Sequence, residues 1–383
     1  MKRIVVDFYA ARNLGDDLFI KILVERYPTV EFIISAPTAL YKGFVEERGN
    51  LKLLDNSKLQ RYTNAAIEKL NRLSFKLFSR ALFSYIPERR YKMPSDCYIH
   101  IGGSIFIEPP QNLKALNHRR RAKELSVLKH FATTPKIIIG ANFGSYYSAD
   151  FLEFYRSFFS KFNDICFRDH YSYSLFSKLP HIRFCPDIVF TLAGNYAKTS
   201  RTKNSYGFSV IDPRRKRELR DYCEGYITTI CSTITRLINS GASVSLFSFC
   251  EIQGDMQAIE EILKRLPTTT RERVEVIGYG TDYNIDSFLR HYFSIENIFA
   301  TRFHATILSI GARQNLLPII YSEKTLSALK DLKYKGYYKH IERMKGDISA
   351  KLIYKITKNK NQTQSTVTGA EQHFSWLDTH LKP

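Results

Sequence analysis

Short apolar runs recur along this chain, and each is followed by a loop of turn-forming residues and then by a helix-like segment. The first two runs span residues 3–9 and 30–35, and a helix is expected to begin near Asp16 between them, where acidic residues suit a helix N-terminus. Strands that are apolar throughout and alternate with helices indicate a parallel sheet covered on both faces. The pattern therefore predicts the α/β class.

This alternation is interrupted once, by the polar segment 195–205, and then restarts. Further strands are predicted at 97–102, 136–140, 164–168 and 181–185 before the interruption, and at 206–211, 242–249, 274–279, 298–301 and 317–321 after it. A chain of 383 residues also exceeds the roughly 250–300 residues at which a single core stops growing. We therefore predict two Rossmann-like, doubly wound domains that face a cleft, with ligands at the carboxyl ends of strands.

The expected domain bounds follow from the interruption. An N-terminal domain covers residues 1–195, and a C-terminal domain covers residues 205–345. Residues 346–383 are expected to form a tail, which contains a polar patch at 358–368 and a short closing helix at 370–381.

The chain carries a large excess of positive charge. It has 57 Lys and Arg against 37 Asp and Glu, which gives a formal net charge of +20. An excess of this size predicts an anionic partner: a phosphorylated small molecule, an anionic lipid surface or a nucleic acid. No recognised DNA- or RNA-binding motif accompanies the charge, so we rank nucleic acid last and expect no such partner.

Two features bear on the compartment. No uncharged apolar run is long enough to span a bilayer, and an acidic pair follows the N-terminus too early for a signal peptide. The six cysteines contain no CxxC pair, which favours reduced thiols over a disulfide framework or a zinc site. We therefore expect a cytoplasmic protein without a metal site.

Residues 63–86 are predicted to form a helix that carries a basic stripe. Basic side chains recur at positions that share one helical face. They are Lys69, Arg72, Lys76 and Arg80. Leucine and phenylalanine fill much of the rest, which suits a helix that lies on an anionic membrane. The alternative is a helix packed on the core, with its long basic side chains reaching outward to solvent; the pattern leaves both open.

Glycines and polar side chains follow the predicted strands of the N-terminal domain. They are Asn13, Gly15, Asp16, Gly102, Gly103, Asn142, Arg168, Ser172 and Asp187. Glycine lets a ligand approach the backbone, and the fork of an arginine suits a carboxylate or a phosphate. Structural roles remain open beside these: Asp16 and Asp187 as caps or turn residues, and Arg168 in an ion pair with Asp169. None of the loops matches the dinucleotide fingerprint or the P-loop.

Three basic residues follow strands of the C-terminal domain. Arg302 and His304 stand between a predicted strand and a helix, and Lys324 follows the next strand. The backbone donors and the dipole at a helix N-terminus favour an anion. Arginine, imidazole and ammonium groups that converge on one helix end therefore predict an anion-binding site.

In this order, these strand-end motifs resemble the polysaccharide pyruvyl transferase family. The matching motifs are Asn13-x-Gly15-Asp16, Gly102-Gly103, Arg168-Asp169-x-x-Ser172, Pro186-Asp187, Arg302-x-His304 and the segment at Lys324. One departure is Phe303, where the family commonly has leucine. The resemblance implies a fold similar to the GT-B glycosyltransferases. It also implies a reaction in which phosphoenolpyruvate forms a cyclic ketal with two hydroxyls of a sugar and releases phosphate.

The resemblance further implies roles for these residues. His304 would be the general acid, with Asp187 and Asp16 as bases. Donor-binding residues would be Arg168, Arg302, Lys324 and Ser172. Acceptor-binding residues would be Asn13, Gly15, Gly102, Gly103 and Asn142. No cofactor besides the donor phosphoenolpyruvate, and no metal, is implied.

The implied acceptor is a sugar of a capsule, exopolysaccharide or cell-wall precursor. If that sugar is linked to polyprenyl diphosphate, the basic helix gains a purpose at the inner leaflet of the membrane. Two other functions stay open. One is a GT-B glycosyltransferase whose nucleotide-sugar ribose is held by Asp212 or Glu251, and the other is a non-catalytic module that binds a polyanion.

Overall fold

The computed structural model describes residues 1–78, 81–280, 285–346, 348–349, 352–353, 356 and 369–381, and the chain divides into two compact units. Unit 1 comprises Met1–Ala10, Phe19–Cys185 and His373–Pro383, and unit 2 comprises Ala11–Leu18 and Pro186–Gln372. The polar patch at 358–368 and Arg80 of the basic stripe lie outside the described residues.

Unit 1 is built on a seven-stranded parallel sheet in the order β3-β2-β1-β4-β5-β6-β7. The strands are β1 Arg3–Asp7, β2 Glu31–Ile34, β3 Leu51–Leu53, β4 Cys97–Ile101, β5 Lys136–Ala141, β6 Asp164–Phe167 and β7 Ile182–Phe184. The helices are α1 Leu14–Arg26, α2 Thr38–Glu46, α3 Lys58–Phe78, α4 Lys114–His130, α5 Ala149–Phe159 and α6 His170–Phe176, with a C-terminal helix Ser375–Leu381. Strands β4 and β5 are buried along their whole length, as expected for a sheet covered on both faces.

Unit 2 repeats the design with a six-stranded parallel sheet in the order β10-β9-β8-β11-β12-β13. Its strands are β8 Thr202–Ser209, β9 Ser243–Ser248, β10 Val274–Gly278, β11 Ile295–Ala300, β12 Asn315–Ile320 and β13 Lys339–His340. Its helices are α7 Val189–Ala193, α8 Cys223–Asn239, α9 Asp255–Arg265, α10 Thr268–Arg271, α11 Ile285–Ser294, α12 Phe303–Gly311 and α13 Glu323–Asp331. In each sheet the strand order reverses once, between β1 and β4 in unit 1 and between β8 and β11 in unit 2, as in Rossmann folds.

The predicted α/β class with two doubly wound sheets is confirmed. Two short edge strands, β3 and β13, were not predicted, because three residues or fewer carry too little pattern to detect. Strand β8 begins at Thr202, inside the segment interpreted as a linker. The first three residues of the strand are exposed and polar, which explains why the sequence there resembles a linker. The segment Ala11–Leu18, which the sequence analysis places in the N-terminal domain, is grouped with unit 2.

Helix α3 has an unusual distribution of side chains. Its buried positions are polar: Gln60, Glu68, Asn71 and Ser74. Its exposed positions include large apolar side chains: Leu59, Tyr62, Leu70, Leu73, Leu77 and Phe78. The helix ends at Phe78 rather than continuing to residue 86, and the Asn71 side chain bonds the backbone of Leu82 and Phe83. A conventional core helix would bury its leucines, so this orientation differs from the core-packing interpretation.

Among the described residues, no helix combines the length and the apolar character that crossing a bilayer requires.

Candidate functional site

In unit 2, the imidazole of His304 lies against the backbone of Gly15. His304 lies in the first turn of α12, which follows directly from the end of β11, and its side chain is buried. A Cβ built on Gly15 would lie well under 3.0 Å from three atoms of the His304 ring, which no real structure tolerates. Position 15 must therefore be glycine for His304 to occupy this place.

The segment that carries Gly15 is held to unit 2 by several hydrogen bonds. The amide of Leu14 donates to the carbonyl of Phe249, at 3.0 Å. The carboxylate of Asp17 accepts from the hydroxyl of Tyr279 at 2.8 Å, and the amide of Gly15 donates to Asn13 Oδ1 at 3.2 Å. The predicted site residues Asn13, Gly15 and Asp16 thus belong with His304 rather than with the sheet of unit 1.

Arg302, which precedes α12, is anchored by a buried carboxylate. Its guanidinium makes a forked ion pair with Asp255, with 3.0 Å from Nε to Oδ2, and bonds Gln253 Oε1 at 2.5 Å. Desolvation alone would lower the pKa of Arg302, but the Asp255 charge outweighs it and raises that pKa, so the guanidinium stays charged. Arg302 is therefore a fixed positive charge next to His304.

Asp255 also organises the loop that follows β9. Its Oδ2 accepts hydrogen bonds from the amides of Phe249 and Cys250, both at 2.9 Å. Burial raises the pKa of the Cys250 thiol to about 11, and the charges that act on that thiol include Arg302, Asp255 and Asp16. Asp16 therefore belongs to the same electrostatic environment as Arg302.

Lys324 reaches the same helix end from the next strand. It lies in the first turn of α13, and its Nζ stands 4.2 Å from the ring centroid of Phe303. The Phe303 and His304 rings meet edge to face at 5.1 Å. Phe303, the departure from the family pattern, thus supplies an aromatic face that holds the Lys324 ammonium by a cation–π contact.

Unit 1 contains a second cluster, in which Arg168 lies against Gly103. A Cβ on Gly103 would lie well under 3.0 Å from the guanidinium of Arg168. The same guanidinium donates to Asn142 Oδ1 at 2.7 Å, and that oxygen also accepts from the Ser104 hydroxyl at 3.1 Å. The ends of β4, β5 and β6 therefore place the diglycine loop, an amide and an arginine side by side.

Aromatic packing holds this second cluster in place. Phe143, next to Asn142, packs on Phe176 at 4.9 Å and on Phe151 at 5.5 Å between ring centroids. Ser172 is fully buried, accepts from the Phe143 amide at 2.7 Å and donates to Asp169 Oδ2 at 3.0 Å. These contacts give Ser172 a positioning role in the loop, and its direct contact with a donor stays a prediction.

Asp187 is buried at the start of α7. Its Oδ1 accepts from the amide of Val189 at 2.9 Å, which is the geometry of a turn or cap aspartate. The sequence allows this structural role, and the role of Asp187 as a base stays a prediction. Helix α7 packs closely on α12, and a Cβ added at Gly311 of α12 would overlap the side chain of Ala193 of α7.

The structure joins some predicted residues and adds others. It brings together Gly15, Arg302, His304 and Lys324 in unit 2, and Gly102, Gly103, Asn142 and Arg168 in unit 1. Arg168 contacts the glycine loop of unit 1, and its predicted role as a donor-binding cation stays a prediction. Asp255 and Gln253 were missed; the sequence offered only an acidic residue after a glycine, in the loop that follows a predicted strand.

The chain is similar to known proteins over most of its length. The family model for polysaccharide pyruvyl transferase matches residues 13–323. Similar solved structures include the UDP-GlcNAc 2-epimerase of Methanocaldococcus jannaschii, at 11% identity and a TM-score of 0.56, covering 99% of this chain and 100% of that chain. Another is Anabaena Alr3699/HepE in complex with UDP-glucose, at 10% identity and a TM-score of 0.54, with 99% and 100% covered.

At such identities these likenesses show the fold alone, and they confirm the GT-B-like fold that the resemblance implied. A search of curated proteins finds no match. The matched region contains both glycine-supported clusters, from Gly15 to His304. The chain therefore belongs to the polysaccharide pyruvyl transferase family.

Proposed function

We propose that this protein transfers the pyruvyl group of phosphoenolpyruvate to two hydroxyls of a sugar in a polysaccharide precursor, as a cyclic ketal. One observation carries the proposal: His304 packs on the backbone of Gly15, next to Asp16, at a helix end that also holds Arg302 and Lys324. A proton donor, a carboxylate and fixed cations therefore occur together, as a small, highly charged enol ester requires.

The proposed steps assign each group a task. His304 donates a proton to the methylene carbon of phosphoenolpyruvate, which makes C2 electrophilic. One sugar hydroxyl adds to C2 and loses its proton to a base. The second hydroxyl then displaces phosphate and also loses its proton to a base, so that two C–O bonds form and the bond from C2 to the phosphate oxygen breaks. Asp16 is the candidate base, with Asp187 as the second candidate.

The cations would bind the donor and the leaving phosphate. The Lys324 ammonium is positioned by Phe303, and the Arg302 charge is positioned by Asp255. A preorganised positive field of this kind stabilises charge that develops on a departing phosphate. For the acceptor sugar we propose the loops of unit 1, where Gly103 and Asn142 flank Arg168.

The orientation of α3 supports a peripheral contact with an anionic membrane, on the cytoplasmic side. Its exposed apolar side chains, among them Leu73 and Leu77, lie next to the exposed Lys69, Arg72 and Lys76. Apolar side chains that enter the headgroup region, flanked by basic ones, are the features of an interfacial helix. Such a contact suits an acceptor carried by polyprenyl diphosphate.

The direct test is phosphate release from phosphoenolpyruvate, measured across a panel of lipid-linked and nitrophenyl glycosides. Release should require an acceptor, and the product should gain the mass of a pyruvate ketal. His304→Gln should lower the rate by roughly 10²-fold or more, as loss of a general acid does. His291→Gln, an exposed helix histidine, is the matched control. Absence of phosphate release with every acceptor would contradict the proposal.

The alternative is transfer of a sugar from a nucleotide sugar. It is suggested by a protein of similar fold whose structure contains UDP-glucose. The two candidate ribose-binding residues are placed differently. Asp212 is engaged by the backbone and side chain of Arg214, while Glu251 lies beside Gly280. Thermal shift separates the donors, because a ligand at 100 times its Kd stabilises the folded state by about 2.7 kcal/mol. Stabilisation by UDP- or GDP-sugars but not by phosphoenolpyruvate would favour the alternative.

A further inference from the structure

Three ligand-type side chains converge in the interior of unit 1, away from the glycine loops. Cys166, Cys185 and His373 are all buried, with at most 2% of their surface exposed. The two sulfurs and a ring nitrogen all lie within 4.8 Å of one another. We propose that these three residues bind a zinc ion, which ties the C-terminal segment to the sheet of unit 1.

Strand register brings the two cysteines to one face. Cys166 of β6 is paired with Arg183 of β7 in the parallel ladder. Cys185 stands two residues beyond Arg183 and therefore points to the same face. Its amide still bonds the carbonyl of Phe167 at 3.0 Å, so the backbone at Cys185 continues the ladder.

The third side chain comes from the C-terminal segment, almost 190 residues after Cys185. His373 lies in a short helical turn, Gln372–Phe374, that precedes the C-terminal helix. This segment is fixed on α1 by Asp378, which accepts from Arg26 at 2.9 Å and from the Tyr27 hydroxyl at 2.7 Å. These contacts hold the segment that carries His373 close to the two cysteines.

A fixed cation lies next to one of the two sulfurs, and thiolates are the form that binds metal. The guanidinium of Arg183 stands 4.0 Å from the Cys185 sulfur. Asp164 holds that guanidinium with two bonds of 2.7 and 2.8 Å, so it remains next to the sulfur. A fixed cation beside a buried sulfur offsets part of the cost of the negative charge.

The ligand set and its spacing select the metal. Two thiolates and one imidazole are borderline-soft ligands of the kind that zinc prefers. With bonds of about 2.3 Å to sulfur and about 2.0 Å to nitrogen, a tetrahedral ion needs its ligand atoms roughly 3.5–3.8 Å apart. The observed limit of 4.8 Å accommodates that geometry with small side-chain movements. The cysteines contain no CxxC pair, so the sequence alone favours reduced thiols over a zinc site, and the proximity of these three residues becomes visible only in the fold.

Metal content tests the proposal on the full-length protein, purified without a metal-affinity tag. Inductively coupled plasma mass spectrometry should find about one zinc per chain. Cys166→Ser, Cys185→Ser and His373→Gln should each lower this ratio by 10-fold or more. Cys231→Ser is the matched control, because its half-buried thiol donates to the carbonyl of Ile262 in unit 2 and its loss should leave the zinc in place.

Cobalt provides a readout that does not depend on activity. The chelator-treated protein should bind one Co²⁺ and show thiolate-to-cobalt charge-transfer absorption, which His373→Gln weakens and the two serine variants abolish. Circular dichroism of each variant separates loss of metal from loss of fold. Less than a tenth of an equivalent of zinc together with no cobalt spectrum would overturn the proposal, and so would a Cys166–Cys185 disulfide in the freshly isolated protein.

Discussion

Two glycines limit which side chains this protein can use for chemistry. Gly15 and Gly103 each support one functional side chain, the His304 imidazole and the Arg168 guanidinium, where any Cβ would overlap it. Neither glycine has a left-handed backbone, so steric room rather than backbone freedom explains them. Substitution of either glycine should therefore impair function while leaving the fold intact.

Gly15→Ala should lower the turnover number by roughly 10²-fold or more, because displacing a catalytic group by about 1 Å costs that much. Position 15 lies inside α1, where alanine is otherwise the better helix former by about 1 kcal/mol, so the fold should persist. Phosphate release and thermal melting, measured together, check this. Gly49→Ala, where a methyl group would meet nothing within 4 Å, is the control. Full activity in Gly15→Ala would remove His304 from the mechanism.

Gly103→Ala should lower kcat/KM by about 10- to 100-fold, because it displaces an arginine whose bonds to a charged or polar ligand are worth about 1.5–3 kcal/mol. The effect should fall on the KM for the acceptor if unit 1 binds the sugar. A rise in the KM for phosphoenolpyruvate alone would instead return Arg168 to the donor. Gly43→Ala, on α2, serves as the neutral substitution.

At the scale of elements, helix α4 covers a buried charged cluster on β1 and β4. Asp7 accepts from the hydroxyls of Tyr91 and Tyr98, both at 2.7 Å, and pairs with Arg90. Burial alone would raise the pKa of Asp7, but the Arg90 and Lys123 charges outweigh it and hold that pKa below its usual range. The Asp7–Arg90 pair therefore stays ionised at physiological pH and acts as a fixed part of the fold.

Glu124 of α4 predicts a pH dependence of stability. Burial raises its pKa to about 8, well above the 4.5 of an exposed glutamate. Between these values the folded chain holds a proton that the unfolded chain releases, so this group makes stability fall as pH rises from 4.5 to 8. Glu124→Gln should remove that loss and stabilise the protein by about 1–3 kcal/mol at pH 8, with no difference near pH 4. Denaturant unfolding at both pH values measures it, with exposed Glu260→Gln as the control.

Helix α3 should bind vesicles that contain anionic lipid. Replacing Leu73 and Leu77 by serine removes apolar area from the exposed face, and replacing Lys69 and Lys76 by glutamate reverses its charge; each pair should reduce co-sedimentation by 10-fold or more. The double variant Lys129→Glu, Lys161→Glu, at exposed positions outside α3, changes the net charge by the same amount and is the control. Equal binding of the wild type and both double variants would rule out α3 as the membrane contact.

At the scale of the whole molecule, the net charge of +20 has two separable consequences. Exposed charges are screened over about 10 Å at 0.1 M salt, whereas buried pairs such as Arg302 and Asp255 are screened far less. Raising the salt from about 0.05 to about 0.5 M should therefore release the protein from anionic vesicles. Turnover of a soluble nitrophenyl glycoside should change by less than about 3-fold over the same range. Parallel sedimentation and phosphate-release assays compare the two, and a joint collapse would mean that surface charge governs catalysis.

The chain by itself determined the α/β class, the two sheets and the strand ends at which functional residues stand, because alternation of apolar strands and turn residues is a local property. It also placed Arg302, His304 and Lys324 at one helix end, since those positions follow adjacent strands. Only the tertiary structure decided that Gly15 supports His304, that Asp255 fixes Arg302, and that Cys166, Cys185 and His373 meet. Each of these depends on contacts between residues far apart in the chain, which no local pattern encodes.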